Sequence, residues 1–222
     1  LNKDKNDRYE YILPRINLVK NIDNKTNLNG NFTFESQALI RNYNTNVFER
    51  NNINDLIFKS YPKISTNGFY NNYEFLIKNS NISNKNSSYK NNESVYLSSI
   101  FQYNSSLPLI KENDFYRKIL KPKFSFKLAP PHTKDSKNED IKIDLSNIYS
   151  IDRLSDKTTE GGFSAVYGGE YSIFSNKKSR EIFNVKLANN FRFDENDDLS
   201  NTNQIGEKNS NLFGSYFFCP YL

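Results

Sequence analysis

The sequence predicts an all-β fold, an antiparallel up-and-down meander of long strands that forms a segment of a large transmembrane β-barrel. Three observations lead there. Apolar and polar residues alternate with period two through runs of about ten residues. Phe and Tyr supply 18 and 15 of the 222 residues, while the mean hydropathy is −0.78. No stretch reads as a capped amphipathic helix, and none approaches the ~18 consecutive apolar residues of a membrane-spanning helix.

The runs follow one another along the chain. Phe32, Phe34, Ala38 and Ile40 oppose Thr33, Glu35, Gln37 and Arg41. Phe69, Tyr73, Phe75 and Ile77 oppose Tyr70, Asn72, Glu74 and Lys78, and Val95, Leu97, Phe101 and Tyr103 oppose Ser94, Ser98 and Gln102. The clearest case carries Leu120, Pro122, Phe124, Phe126, Leu128 and Pro130 on one side, with Lys121, Lys123, Ser125, Lys127 and Ala129 on the other. Two more place Phe163, Ala165, Tyr167, Tyr171 and Ile173 against Ser164, Gly168, Glu170 and Ser172, then Phe183, Val185, Leu187, Phe191 and Phe193 against Asn184, Lys186, Asn190 and Arg192. Successive strand side chains point to opposite faces, so each run has one oily and one wet side. About ten strands are expected in all.

Asn27 to Gly30 and Ser65 to Gly68 contain Asn-Gly and predict tight turns. Residues 79–92, 131–140 and 194–210 are polar and predict long loops. Alternating short and long hairpin connections describe the wall of a transmembrane barrel. In lipid every backbone donor and acceptor must pair within the protein, which a closed sheet achieves. Tyr9, Tyr11, Tyr61, Tyr103 and Phe193 fall near strand ends and suit interfacial aromatic girdles. The same alternation also fits a soluble β-sandwich or β-solenoid whose apolar face packs a core.

Composition narrows the function classes. Lys and Arg number 30 against 25 Asp and Glu, a net +5, and the signs are interspersed, which gives no nucleic-acid footprint. The 36 Asn residues lie mostly between the aromatic runs and match an AT-rich genome better than a prion-like function. One Cys and one His leave little basis for an internal disulfide, a zinc ribbon or His-based catalysis. No spacing singles out a catalytic constellation, so no enzyme, cofactor or metal is expected. The polar start at Leu1 shows no signal peptide, and the break in mid-pattern at Leu222 reads as a piece of a longer protein.

Several ordered phrases resemble the C-terminal barrel of the lipopolysaccharide-assembly protein family LptD (organic solvent tolerance protein), in an alphaproteobacterial-looking version. They are Tyr9-Glu10-Tyr11-Ile12-Leu13-Pro14, Tyr43-Asn44-Thr45-Asn46 with Ile53-Asn54-Asp55-Leu56, and Leu120-Lys121-Pro122-Lys123-Phe124. Further on come Ile143 to Arg153, Glu160-Gly161-Gly162-Phe163-Ser164 and Tyr167-Gly168-Gly169-Glu170-Tyr171. The resemblance implies that residues 1–222 are the middle of an outer-membrane barrel of a Gram-negative bacterium, without the jellyroll or seam strands. It implies a role in inserting lipopolysaccharide into the outer leaflet, with lipopolysaccharide, membrane lipid, an LptE-like plug lipoprotein and the periplasmic Lpt bridge as partners. A porin, a TonB-dependent receptor and a soluble β-rich adhesin module are the rival readings.

Individual residues carry smaller expectations. Lys121, Lys123 and Lys127 are possible lumen-facing basic residues for the phosphates and acidic sugars of lipopolysaccharide. Against this, barrel lumens are polar and solvated in general. Pro14, Pro122 and Pro130 belong at strand ends or bulges, because proline removes a ladder donor. Gly161, Gly162, Gly168 and Gly169 lack the following helix of a phosphate loop, so they predict bending or close approach. Asp152 and Arg153 read as a structural pair near a strand end. His132 reads as an exposed loop residue, and Cys219 as a free or buried thiol with no disulfide role.

Overall fold

The computed structural model describes residues 11–43, 47–85, 93–131, 135–137, 141–154 and 158–219. Its strands are β1 (Tyr11–Ile22), β2 (Gly30–Tyr43), β3 (Val47–Ser60), β4 (Lys63–Ile64), β5 (Tyr70–Lys85) and β6 (Glu93–Ser106). They continue with β7 (Leu109–Glu112), β8 (Tyr116–Ala129), β9 (Gly162–Ser175), β10 (Arg180–Arg192) and β11 (Phe213–Phe218). The only described helix is a 3-10 turn at Asn201–Asn203. All eleven strands join one sheet in the order β1-β2-β3-β5-β6-β8-β9-β10-β11, with β4 pairing β5 and β7 pairing β8. Every pairing is antiparallel. The meander is therefore as expected, and β1 and β11 are its two edges among the described residues.

The alternation resolves into two sheet faces that run unbroken across strands. One hydrogen-bonded row joins Ile22, Phe32, Phe58, Phe75, Phe101, Leu128 and Phe163. Phe32 packs against Phe58 in a tilted pair at 4.7 Å between ring centroids, and Phe163 meets Phe193 edge-on at 6.2 Å. Among the described residues no second layer covers this face on its β8–β10 side: Phe124, Leu128, Phe163, Tyr167, Leu187 and Phe193 are all exposed. The row starts at the last residue of β1 and reaches Phe163 at the first turn of β9, twelve positions from that strand's other end at Ser175. The register thus drifts in one direction across the sheet.

The connections show why local signals succeeded or failed. Gly68 closes the turn between β4 and β5 with φ of +81°, donating its amide to the Ser65 carbonyl. Pro14 occupies the bulge in the β1–β2 register, Pro130 follows the end of β8, and Pro122 lies where the partner of β8 changes from β7 to β6. Residues 79–85, expected in a loop, instead extend β5, because Ser80 and Ile82 keep the inward alternation alive between asparagines. The β3 strand escaped the sequence pattern for a related reason, since its outward positions 50, 52 and 54 are Arg and Asn. Tyr9 and His132 lie outside the described residues. Tyr11, Tyr61, Tyr103 and Phe193 are exposed.

Candidate functional site: a strap anchored on the polar face

From β5 to β10 much of the polar face is covered by the described part of the chain's own connection between β8 and β9. This strap carries Ile141, Ile143, Ile148, Ile151 and Leu154, all buried. Ile141, Ile143, Ile148 and Leu154 pack with Val166 of β9, Ala188 of β10, and Leu199 and Ile205 of the β10–β11 connection. Ile151 joins Leu76, Ile100 and Ala129 in a second cluster. Strands β5, β6, β8, β9 and β10 each lend one buried small or aliphatic residue to these clusters, and the two connections supply the rest. Residues 194–210 form the long polar connection the sequence predicts, and its two aliphatic residues, Leu199 and Ile205, join this core.

Local hydrogen bonds shape the strap before it packs. Asp144 accepts from the Ser146 amide at 2.8 Å, and Asn147 Oδ1 accepts from the Asp144 amide at 2.9 Å. Such side-chain-closed turns are favoured by Asp and Asn. Two hydrogen bonds donated to it by the Ser146 hydroxyl and backbone amide hold the Asp144 carboxyl below the usual carboxylate range. The turn presents Tyr149 to the sheet. Gly168 makes room for it, because a Cβ there would lie 2.8 Å from the Tyr149 hydroxyl and 2.1 Å from the Leu187 carbonyl oxygen. Burial pushes the Tyr149 phenol up to about 12.

Buried charges then tie the strap down. Arg153 donates from Nε and Nη2 to the two carboxylate oxygens of Glu160 at 2.8 and 3.0 Å. Its remaining donors reach the Ile148 carbonyl at 3.0 Å and Asn190 Oδ1 at 2.8 Å. Ser164 Oγ donates to Glu160 at 2.8 Å, Lys127 Nζ lies 4.0 Å from Glu160 and donates to the Ser150 carbonyl, and Arg192 donates to the Gly161 carbonyl. Burial acts to raise the pKa of Glu160. The charges of Arg153, Lys127 and Arg192 outweigh it and hold the carboxyl well below its usual range. A second clamp joins Lys78 of β5 to Asp152 at 2.7 Å and to Asp55 of β3 at 3.0 Å. Gln102 of β6 donates to the Tyr149 carbonyl at 2.8 Å. Asp152 and Arg153, expected to act as a pair near a strand end, therefore sit mid-strap and diverge to separate clamps.

The three singled-out lysines share the polar face but not one environment. Lys127 is buried beneath the strap. Lys121 and Lys123 line an open cleft of about 330 Å³ beside Tyr149, with Lys59, Glu74, Asn72 and Tyr70. Lys123 is 3.5 Å from Glu170. The cleft thus offers a cluster of cationic groups, aromatic rings and amides, and the strap forms one wall of it. Cys219 follows β11 as a free cysteine whose amide donates to the Ile182 carbonyl. Gly162, with φ of +86°, starts β9 directly after the clamp.

Sequence reasoning missed Glu160, Arg192, Lys78 and Asn190. The one available signal was charged residues recurring on the wet side of strands next to a long connection with Ile or Leu at every second or third position from Ile141 to Leu154. No family model matches this chain, and the curated proteins contain no significant match.

Proposed function

We propose that this chain is a wall segment of an outer-membrane β-barrel that takes part in assembling lipopolysaccharide into the outer leaflet, as a non-enzymatic lipid-transport component. The observation that carries the reading is the asymmetry of the sheet: its aromatic face is uncovered across β8, β9 and β10, while over those strands much of its polar face is covered and charge-clamped. A soluble β-sandwich buries its oily faces against each other, and here the oily face is the bare one. A barrel wall in lipid has this polarity. The ordered phrases resembling LptD supply the lipopolysaccharide part of the proposal. A strapped, clamped interior fits an occluded barrel better than the open channel of a general porin.

In this reading the wall works passively. The outward rings match acyl chains, the cationic cleft by Lys59, Lys121 and Lys123 attracts phosphates and acidic sugars, and upstream transport supplies the energy. The test places photo-crosslinking amino acids at Tyr167, which faces outward, and at Lys121, which faces the cleft, in the complete protein expressed in Gram-negative cells. Crosslinks to phospholipid at 167 and to lipopolysaccharide at 121 are expected. Solubility of the complete protein without detergent, or crosslinks at 167 to soluble proteins alone, overturns the membrane reading. Lipid at 167 with no lipopolysaccharide at 121 leaves a barrel of another function.

A further inference from the structure

We infer that the outward face over β3 and β5 holds water and lipid headgroups at a depth where the flanking strands meet acyl chains, so that the bilayer is pinched there. The inference rests on the membrane reading above. Two hydrogen-bonded rows carry it. One runs Leu18, Ser36, Asn54, Asn79, Leu97, and the next runs Ile16, Ala38, Asn52, Asn81, Val95. The outer members Ile16, Leu18, Val95 and Leu97 are aliphatic and more than half exposed, so both rows start and finish on apolar surface. Their centres on β3 and β5 are four carboxamides.

These amides form a ladder. Ser36 Oγ donates to Asn54 Oδ1 at 2.7 Å, Asn54 Nδ2 to Asn79 Oδ1 at 3.4 Å, and Asn81 Nδ2 to Asn79 Oδ1 at 2.6 Å. Asn81 also reaches the Asn52 carbonyl at 3.4 Å. Each carboxamide can make about four hydrogen bonds, so the ladder leaves donors and acceptors over. Leaving polar groups unsatisfied against hydrocarbon is costly, and water or headgroup oxygens remove that cost.

The apolar height differs accordingly. Along β8 the outward residues Leu120, Pro122, Phe124, Phe126 and Leu128 are all apolar, about 30 Å of strand at ~3.3 Å per residue. Along β3 only Leu56 and Phe58 lie beyond Asn54 toward the strand's end at Ser60, about 10 Å at the same rise. On the other side of Asn52 the same face carries Arg50, its guanidinium 5.0 Å from the Phe48 ring centroid. A hydrophobic stretch shorter than the hydrocarbon core is met by local thinning. A thinned wall lowers the distance a lipid headgroup must cross.

These 222 residues contain no Trp, so once any Trp elsewhere in the complete protein is changed to Phe, an inserted tryptophan is readable. Asn54→Trp and, as a reference, Tyr167→Trp are placed in the complete protein in phosphatidylcholine vesicles with lipids brominated either near the headgroup or in mid-chain. Quenching at 54 is expected chiefly from headgroup-level bromines, and at 167 from mid-chain bromines. With Asn52, Asn79 and Asn81 also changed to Leu beside Asn54→Trp, the ratio at 54 should move roughly twofold toward mid-chain. An unchanged ratio overturns the pinch. No quenching at 167 by either lipid removes the membrane reading itself. Should the fourfold variant fail to fold, Asn52→Cys in a Cys219→Ser background should react with a water-soluble maleimide while Leu18→Cys does not. Equal reactivity at the two positions, or protection of Asn52→Cys, overturns the inference.

Discussion

Arg153 grips Glu160 through two parallel hydrogen bonds of 2.8 and 3.0 Å, seven residues apart in sequence and with both side chains almost wholly buried. This bidentate pair closes the strap into a loop and, through Asn190, Ser164 and Lys127, locks it to three neighbouring strands. Charge-assisted forks of this kind hold geometry as well as energy. Removing one partner strands a buried charge, so Glu160→Ala or Arg153→Ala should destabilise by about 3–5 kcal/mol. The joint change Arg153→Met with Glu160→Leu should lose much less. Urea unfolding of the three variants checks this, and equal losses in single and double variants would contradict it.

Acid should loosen the same clamp. The folded carboxyl of Glu160 titrates below its unfolded value of about 4.3, so its contribution is present above that value and is lost as pH falls through and beneath it. The thermal midpoint should drop below about pH 4.3 in the parent protein. In Glu160→Gln it should be lower at neutral pH and less steep in acid. Parallel curves for the two proteins would show that Glu160 does not link protonation to the strap.

Gly168 is a steric requirement of the strap. Its Cβ position is filled by the Leu187 carbonyl and Ala188 Cα on β10 and by the Tyr149 hydroxyl. Gly168→Ala should cost about 1–3 kcal/mol through overpacking. Gly169→Ala, where the nearest atoms are 3.3 Å away or more, should cost less. The difference between their unfolding midpoints is the measurement.

The two faces should answer a charge differently. Phe124→Arg puts a guanidinium on the bare face and in a bilayer should destabilise by about 2–4 kcal/mol. At an ordinary water-exposed position the change stays within about 0.5 kcal/mol. Folding titrations in vesicles decide between these values.

Lys59, Lys121 and Lys123 changed to Gln should weaken lipopolysaccharide crosslinking from the cleft while leaving stability nearly intact, since none of the three is buried. Lys127→Gln should instead cost stability, because its ammonium lies under the strap beside Glu160. Crosslinking yields and unfolding midpoints for the two sets separate attraction from anchoring.

The amino-acid sequence by itself determined which side chains share a face. Strand alternation is local, so Phe124 and Lys123 are sent apart whatever lies elsewhere in the chain. It also determined the Gly68 turn and the places of the three prolines, since a positive φ and a missing amide are properties of single residues. What became of the polar face was decided by tertiary structure. Gln102 meets Tyr149 across 47 residues, and Lys78 meets Asp152 across a still longer separation. No periodicity encodes contacts of that span. The β3 strand belongs to the same class: with Asn and Arg on its outward positions, it acquires its identity only from hydrogen bonding to β2 and β5.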